Sequence, residues 1–213
     1  MTTGRKLWDI SQTLRSDLPV WPGDTAFSHG RRWSQGQDSP VTVSYFATTV
    51  HAGTHADAPL HYSPAGPSAA EVSLEAYIGP CRVVDARSEG PSILAQFIER
   101  DVPEPPPRVL FRTFERFPYE AWRSDFTSVS AEAIHALAAL GVRLVGLDSP
   151  SLDPQNSKTM DAHRAVLAAD MRVLEGLVLD DVPPGDYELI ALPLKLAGLD
   201  ASPVRAVLRE LAP

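Results

Sequence analysis

Cysteine is nearly missing from this chain. Cys81 stands alone among 213 residues, so no disulfide can close within it. Long apolar runs are missing too: none approaches the roughly 20 residues that span a bilayer, and residues 1–11 carry no secretory signal. An excess of positive charge is the third absence. The formal net charge is −8, which disfavours nucleic acid and anionic membranes as partners. These absences leave a soluble protein, expected in the cytoplasm. With 44% hydrophobic and 22% charged residues its composition is that of ordinary globular chains, and nothing in it divides residues 1–213 into more than one domain.

Alternating apolar residues between turn-forming clusters predict strands over 6–14, 27–33, 41–49, 82–85, 108–113, 142–147, 173–179 and 187–196. Helices are expected over 73–78, 91–100, 130–140, 161–170 and 203–211. Ser130 is placed to cap the third of these and Gly141 to end it. Many short strands with a few helices, mixed rather than strictly alternating, read as a sheet-rich α/β or α+β domain. Trp21 lies between Pro19 and the Pro22-Gly23 step, in a turn. Two readings stay open for it: an aromatic packed under a loop, or one that contacts a ligand.

What the chain has in excess is histidine in one place. Residues 51–61 read His-Ala-Gly-Thr-His-Ala-Asp-Ala-Pro-Leu-His. On an extended backbone His51, His55 and Asp57 share one face, with Gly53 leaving space between the two histidines. A helix would also join positions 51 and 55, as in zincins. Gly53 and Pro59 oppose a helix, however, and position 52 holds Ala where a zincin has its catalytic Glu. The expectation is a strand running into a loop and carrying metal ligands.

His29 and His135 read as structural. Glu175 stands inside Val-Leu-Glu-Gly-Leu-Val-Leu, where a buried carboxylate needs a cation. It gains meaning only when counted with His163 and the cluster. His51, His55, Asp57, His163 and Glu175 are too many ligands for one catalytic zinc, which takes three and keeps a position open. They suit two ions sharing a carboxylate, for which Asp57 is the choice. His61, redirected by Pro59, is placed to move protons beside the metals without ligating them. The rival class is a structural metal-binding module, but structural sites are closed.

The pattern His-x-Gly-Thr-His-x-Asp-x-Pro-x-His resembles the signature of the cyclase-like metal-dependent hydrolases, and within them the bacterial kynurenine formamidases (arylformamidases). Trp8-Asp9-Ile10-Ser11, Trp21-Pro22-Gly23-Asp24, Gly146-Leu147-Asp148-Ser149-Pro150, His163 and Glu175 extend the likeness over nearly the whole chain. The resemblance implies a swivelling β/β/α fold and a homodimer. It implies two zinc ions per subunit, one held by His51, His55 and Asp57, the other by Asp57, His163 and Glu175. It implies that His61 carries protons, that Trp21 contacts substrate, and that N-formyl-L-kynurenine is hydrolysed to formate and L-kynurenine in tryptophan degradation. Isatin hydrolases share the core motif and are the alternative within the superfamily.

Overall fold

The computed structural model describes residues 4–212. Residues 1–3, part of the stretch read as lacking a secretory signal, and residue 213 lie outside the described residues. The strands in chain order are β1 (Leu7–Asp9), β2 (Ser28–Trp33), β3 (Val43–Ala47), β4 (His55–Asp57), β5 (Ile78–Asp85), β6 (Ser92–Ile93) and β7 (Arg108–Arg112). They continue with β8 (Ser128–Val129), β9 (Leu144–Leu147), β10 (Arg172–Glu175), β11 (Gly185–Ile190), β12 (Ala201–Pro203) and β13 (Val207–Arg209). The α-helices are α1 (Ala95–Asp101), α2 (Ala131–Ala139) and α3 (Asp161–Ala168), and short 3-10 turns cover Pro59–His61 and Leu74–Tyr77.

Nine strands form one strongly curled sheet in the order β1-β13-β11-β5-β7-β9-β10-β4-β12. Its centre, β5-β7-β9-β10, is parallel, and antiparallel strands extend it on both sides. The two-residue period of the strands divides the core. Val84, Val109, Phe111, Val145 and Val173 face the helices, meeting Phe97 and Ile98 of α1, Ile134 and Leu137 of α2, and Val166 of α3. Their neighbours Val83, Leu110, Leu144 and Leu174 face the other side, with Tyr187, Leu189 and Leu208. Each such side chain contributes roughly 1.5–3 kcal/mol when fully buried, so both faces hold the parallel centre in place. Among the described residues, no helix is long and apolar enough to cross a membrane.

The α/β, sheet-rich expectation holds, and so does the capped helix: the Ser130 hydroxyl accepts the Ala133 N–H at 3.1 Å. The largest correction is at the C-terminus, where the helix expected over 203–211 is replaced by the ends of β12 and β13. Val204, Ala206 and Leu208 alternate as buried positions, and pairing with β1 and β11 overrides the helix-favouring Ala, Leu, Arg and Glu of that stretch. The strand expected over 173–179 stops at Glu175, because Gly176 turns the chain at φ 63°. Over 91–100 the chain first makes β6, paired with β8, and only then α1. The first strand is shorter than 6–14, and the 187–196 strand is displaced to Gly185–Ile190.

Candidate metal centre

Only part of the histidine-rich stretch is a strand. β4 lies antiparallel between β10 and β12, with His55 opposite Glu175 and Pro203, and Asp57 opposite Val173 and Ala201. His51 sits before it in a turn, so the expectation that His51, His55 and Asp57 share one strand face is corrected. Gly53 is why: at φ 66° it adopts a left-handed conformation that breaks the strand. Nor does it leave a space. A methyl there would meet Leu14 at 3.0 Å and Gln12 at 3.4 Å. Gly176 is the matching constraint on the other chain segment, since its missing Cβ would stand 2.6 Å from the Gly53 carbonyl oxygen. The Thr54 hydroxyl donates to the Gly176 carbonyl at 2.6 Å and accepts the Gln12 N–H at 2.9 Å, which ties the two turns together.

The turn nevertheless brings the expected ligands to one place. His51 Nδ1 lies 3.1 Å from Asp57 Oδ1, and His55 Nε2 lies 3.4 Å from both Asp57 Oδ1 and Glu175 Oε2. His163 Nε2 approaches Asp57 Oδ2 at 3.3 Å and Glu175 Oε1 at 3.4 Å. His55, Asp57, His163 and Glu175 are each no more than 4% exposed. Yet His55 Nε2, His163 Nε2 and both Asp57 carboxylate oxygens make no hydrogen bond. Buried polar atoms are normally satisfied. Four orphans converging at these distances, without hydrogen-bond alignment, are placed so that they could serve as donors to a cation. The donor set, imidazole nitrogen with carboxylate oxygen, fits a divalent metal such as zinc.

Neighbouring groups fix the orientation of these donors. Asp153 accepts the His163 Nδ1–H at 2.6 Å and the backbone N–H groups of Ala162 and His163 at 3.1 Å each. One carboxylate thereby caps α3, whose own N-cap residue Met160 offers no side-chain bond, and turns His163 Nε2 inward. His55 Nδ1 faces the Gly53 carbonyl at 3.0 Å, which likewise leaves Nε2 for the centre. Glu175 Oε1 accepts the Leu152 N–H at 2.8 Å.

Charge balance follows from the burial. Desolvation disfavours a charged His55, but the Asp57 and Glu175 carboxylates beside it prevail and push it up to about 10. His163 is raised well above the usual histidine value in the same way, burial being outweighed by Asp153, Asp57 and Glu175. Asp57, although buried, is held well below the carboxylate range by His163, His51 and His55. Both histidine shifts come from carboxylates facing imidazoles with no cation between them, the arrangement in which a bound cation would displace protons.

His61 lies at the end of the Pro59–His61 turn, its ring 4.3 Å from that of His51. It shares a cluster with His51 and Asp57 in which the ligand atoms lie within 4.8 Å of one another. Both rings face Asp200, whose Oδ2 is 3.0 Å from His51 Nε2 and 3.0 Å from His61 Nδ1. Sequence reasoning missed Asp153 and Asp200, for neither belongs to a motif. Above the centre opens a cavity of about 350 Å³ with Trp21, Phe114, Phe117 and Trp122 in its wall. Trp21 meets Trp122 edge to face with centroids 5.3 Å apart and lines the cavity, which bears out its packing against a loop and places it where a ligand could be met. No motif of the sequence marks this loop, which lies between β7 and β8. Its signal in the sequence was the density of aromatics, Phe114, Phe117, Tyr119, Trp122 and Phe126, without periodicity. His29 and His135 are exposed and away from the centre.

The sequence profile of the family described as "Putative cyclase" matches residues 8–154, well over half of the chain. The chain belongs to this cyclase family. Among its curated members, the kynurenine formamidase of Maricaulis maris (strain MCS10) is 57% identical over 206 residues, covering 97% of this chain and 99% of that protein. The kynurenine formamidase of Sphingopyxis alaskensis is 56% identical over 207 residues, with 97% and 99% covered. A solved structure described as a potential metal-dependent hydrolase with cyclase activity superposes with a TM-score of 0.84 at 29% identity, over 98% of this chain and 100% of that one. Isatin hydrolase A from Labrenzia aggregata gives 0.81 at 25% identity, over 98% and 94%. The cyclase fold implied by the sequence is therefore the one observed.

Proposed function

We propose that this chain is a metal-dependent hydrolase that cleaves N-formyl-L-kynurenine to formate and L-kynurenine. The observation that carries the reading is the set of orphaned histidine and carboxylate atoms at the foot of an aromatic cavity. The relatives named kynurenine formamidase, at 56–57% identity over whole chains, supply the substrate. Isatin, the alternative substrate, is attached to a protein of 25% identity and is the weaker reading. A purely structural metal module accounts poorly for a cavity opening onto the ligands, since structural sites are closed.

In this reading His51, His55 and Asp57 hold one zinc ion, and Asp57, His163 and Glu175 hold a second. When bound, the ions supply Lewis acidity, polarising a carbonyl and making water a nucleophile at neutral pH. The chain's own residues do the rest. Asp57 keeps its two oxygens apart, one toward His51 and His55 and one toward His163. His61 takes a proton from water as the new C–O bond forms and returns it to the arylamine nitrogen as the C–N bond breaks, so the amine leaves neutral and formic acid gives up its remaining proton to solvent as formate. The Trp21 indole stacks on the aryl ring and orients the formamide toward the centre.

The reading includes a cytoplasmic homodimer. The β2–β3 hairpin supports the dimer, because it stands apart from the main sheet with Trp33, Tyr45 and Phe46 each more than half exposed. A two-stranded ribbon of this kind is marginal without a covering surface. The deciding experiment is an assay of purified protein on N-formyl-L-kynurenine and on isatin, with bound metal quantified and then removed. Full activity after verified metal removal, or turnover of isatin alone, sinks the proposal.

A further inference from the structure

Asp200 stands one residue before β12, and the sheet fixes it against the centre. Its carbonyl accepts the Ala58 N–H at 2.9 Å, and the next residue, Ala201, pairs with Asp57. The Ala58 carbonyl in turn accepts the His61 N–H at 2.9 Å. Asp200 and His61 are thus both referenced to the residue that follows Asp57. From that position a single carboxylate oxygen reaches two imidazoles, at 3.0 Å from His51 Nε2 and 3.0 Å from His61 Nδ1.

A carboxylate only accepts hydrogen bonds, so each nitrogen facing it carries the hydrogen. A neutral imidazole has one such hydrogen, and its other nitrogen is left with a lone pair. For His51 the hydrogen on Nε2 leaves Nδ1, the atom 3.1 Å from Asp57 Oδ1, to give its lone pair to a bound cation. For His61 the lone pair falls on Nε2, which makes no hydrogen bond among the described residues, on a ring that lines the cavity. We propose that Asp200 is a positioning residue that fixes both tautomers at once, preparing His51 as a ligand and His61 as a proton acceptor. Its side chain is 39% exposed, where an ion pair adds little stability. Holding the two rings is what the geometry leaves it to do. The His61 half rests on the formamidase reading above; the His51 half rests only on a metal being bound.

The test uses the full chain with Asp200→Ala, and with Asp200→Leu, which refills the place without an acceptor. Three readouts are compared with the unaltered chain. Side-chain ¹⁵N NMR of the zinc-loaded protein is expected to find His61 protonated on Nδ1 with Nε2 bare, and to find that preference lost in the two variants. Zinc affinity, measured by competition with a chelator, is expected to fall about 10- to 100-fold, as when the orienting partner of a ligand is removed. With zinc saturating, kcat on N-formyl-L-kynurenine is expected to fall about 100-fold or more, with KM within about threefold, since Asp200 does not line the aromatic wall. An unchanged His61 tautomer with kcat within twofold overturns the proposal, as does a raised KM at constant kcat. If the unaltered chain leaves N-formyl-L-kynurenine intact, the formamidase reading fails, and the His61 tautomer and zinc affinity still decide the part played by Asp200.

Discussion

The floor of the site and its rim are built by opposite means. On the floor, His55, Asp57, His163 and Glu175 are buried, and they sit on β4, α3 and β10. Their relative positions follow from sheet register and from the Asp153 bond that sets His163. On the rim, Trp21, Phe114, Phe117 and Trp122 come from segments without regular structure, and Trp21 is 36% exposed. A change on the floor disturbs two paired strands and the helix beside them, whereas a change on the rim disturbs a loop. Isatin hydrolase A shares the fold at 25% identity under a different substrate name. In the proposed reading, reaction chemistry belongs to the floor and choice of substrate to the rim.

The comparison can be broken by substitutions on either side. The largest effect is expected from Asp57→Ala, which removes the carboxylate common to all three histidine contacts. Elemental analysis should find metal lost and the formamidase assay should fall to background; retained metal would mean the floor is not the metal site. Next comes His61→Ala, which stands between the regions. Its kcat should drop about 10²- to 10⁴-fold with metal content unchanged, and metal loss instead would move His61 to the floor as a ligand. Trp21→Ala and Trp122→Ala should each raise KM for the aryl formamide up to about tenfold, the worth of one aromatic contact, while kcat stays within a few-fold. A collapse of kcat in either would erase the distinction between rim and floor.

The smallest effect concerns the joint between them. Asp148, just past β9, accepts the Thr113 N–H at 2.8 Å and the Phe114 N–H at 3.1 Å, where the rim loop leaves the sheet. Burial pushes its carboxyl up to about 6 in spite of those hydrogen bonds. Because folding raises this value, the protonated carboxyl favours the folded chain. That contribution is complete below the unfolded carboxylate value of about 3.9 and disappears as pH rises through 6. Asp148→Asn should remove this pH dependence. Denaturant unfolding at pH 4 and 7.5 should then differ less in the variant, by about 1–3 kcal/mol. An equal difference in both proteins would show that Asp148 keeps an ordinary carboxylate value.

The sequence made the floor legible because its chemistry is concentrated. Five of the seven nominated side chains fall among residues 21–61, and Glu175 was exposed by its apolar neighbours. The parallel centre was legible for a similar reason, being written in short apolar runs such as those within Arg82–Asp85 and Leu144–Leu147. What escaped depends on contacts between distant residues. Asp200 lies 139 positions from His61 and meets it only because β12 pairs with β4. The C-terminal strands contain good helix formers, and only their partners in the sheet make them extended. Gly53 was recognised as special for the wrong reason: its left-handed turn matters, and the room beside it is filled. The rim escaped because scattered aromatics in a loop have no period to read.

The position of β4 in the sheet has a consequence for how the protein matures. Both strands that flank it, β10 and β12, follow it by more than a hundred residues. A chain emerging from its N-terminus therefore presents His51, His55 and Asp57 long before any strand exists to hold them. Pairings of such long sequence separation are the slow ones in folding. The cradle of His51, His55 and Asp57 can therefore close only once the last fifth of the chain has found its place beside β4.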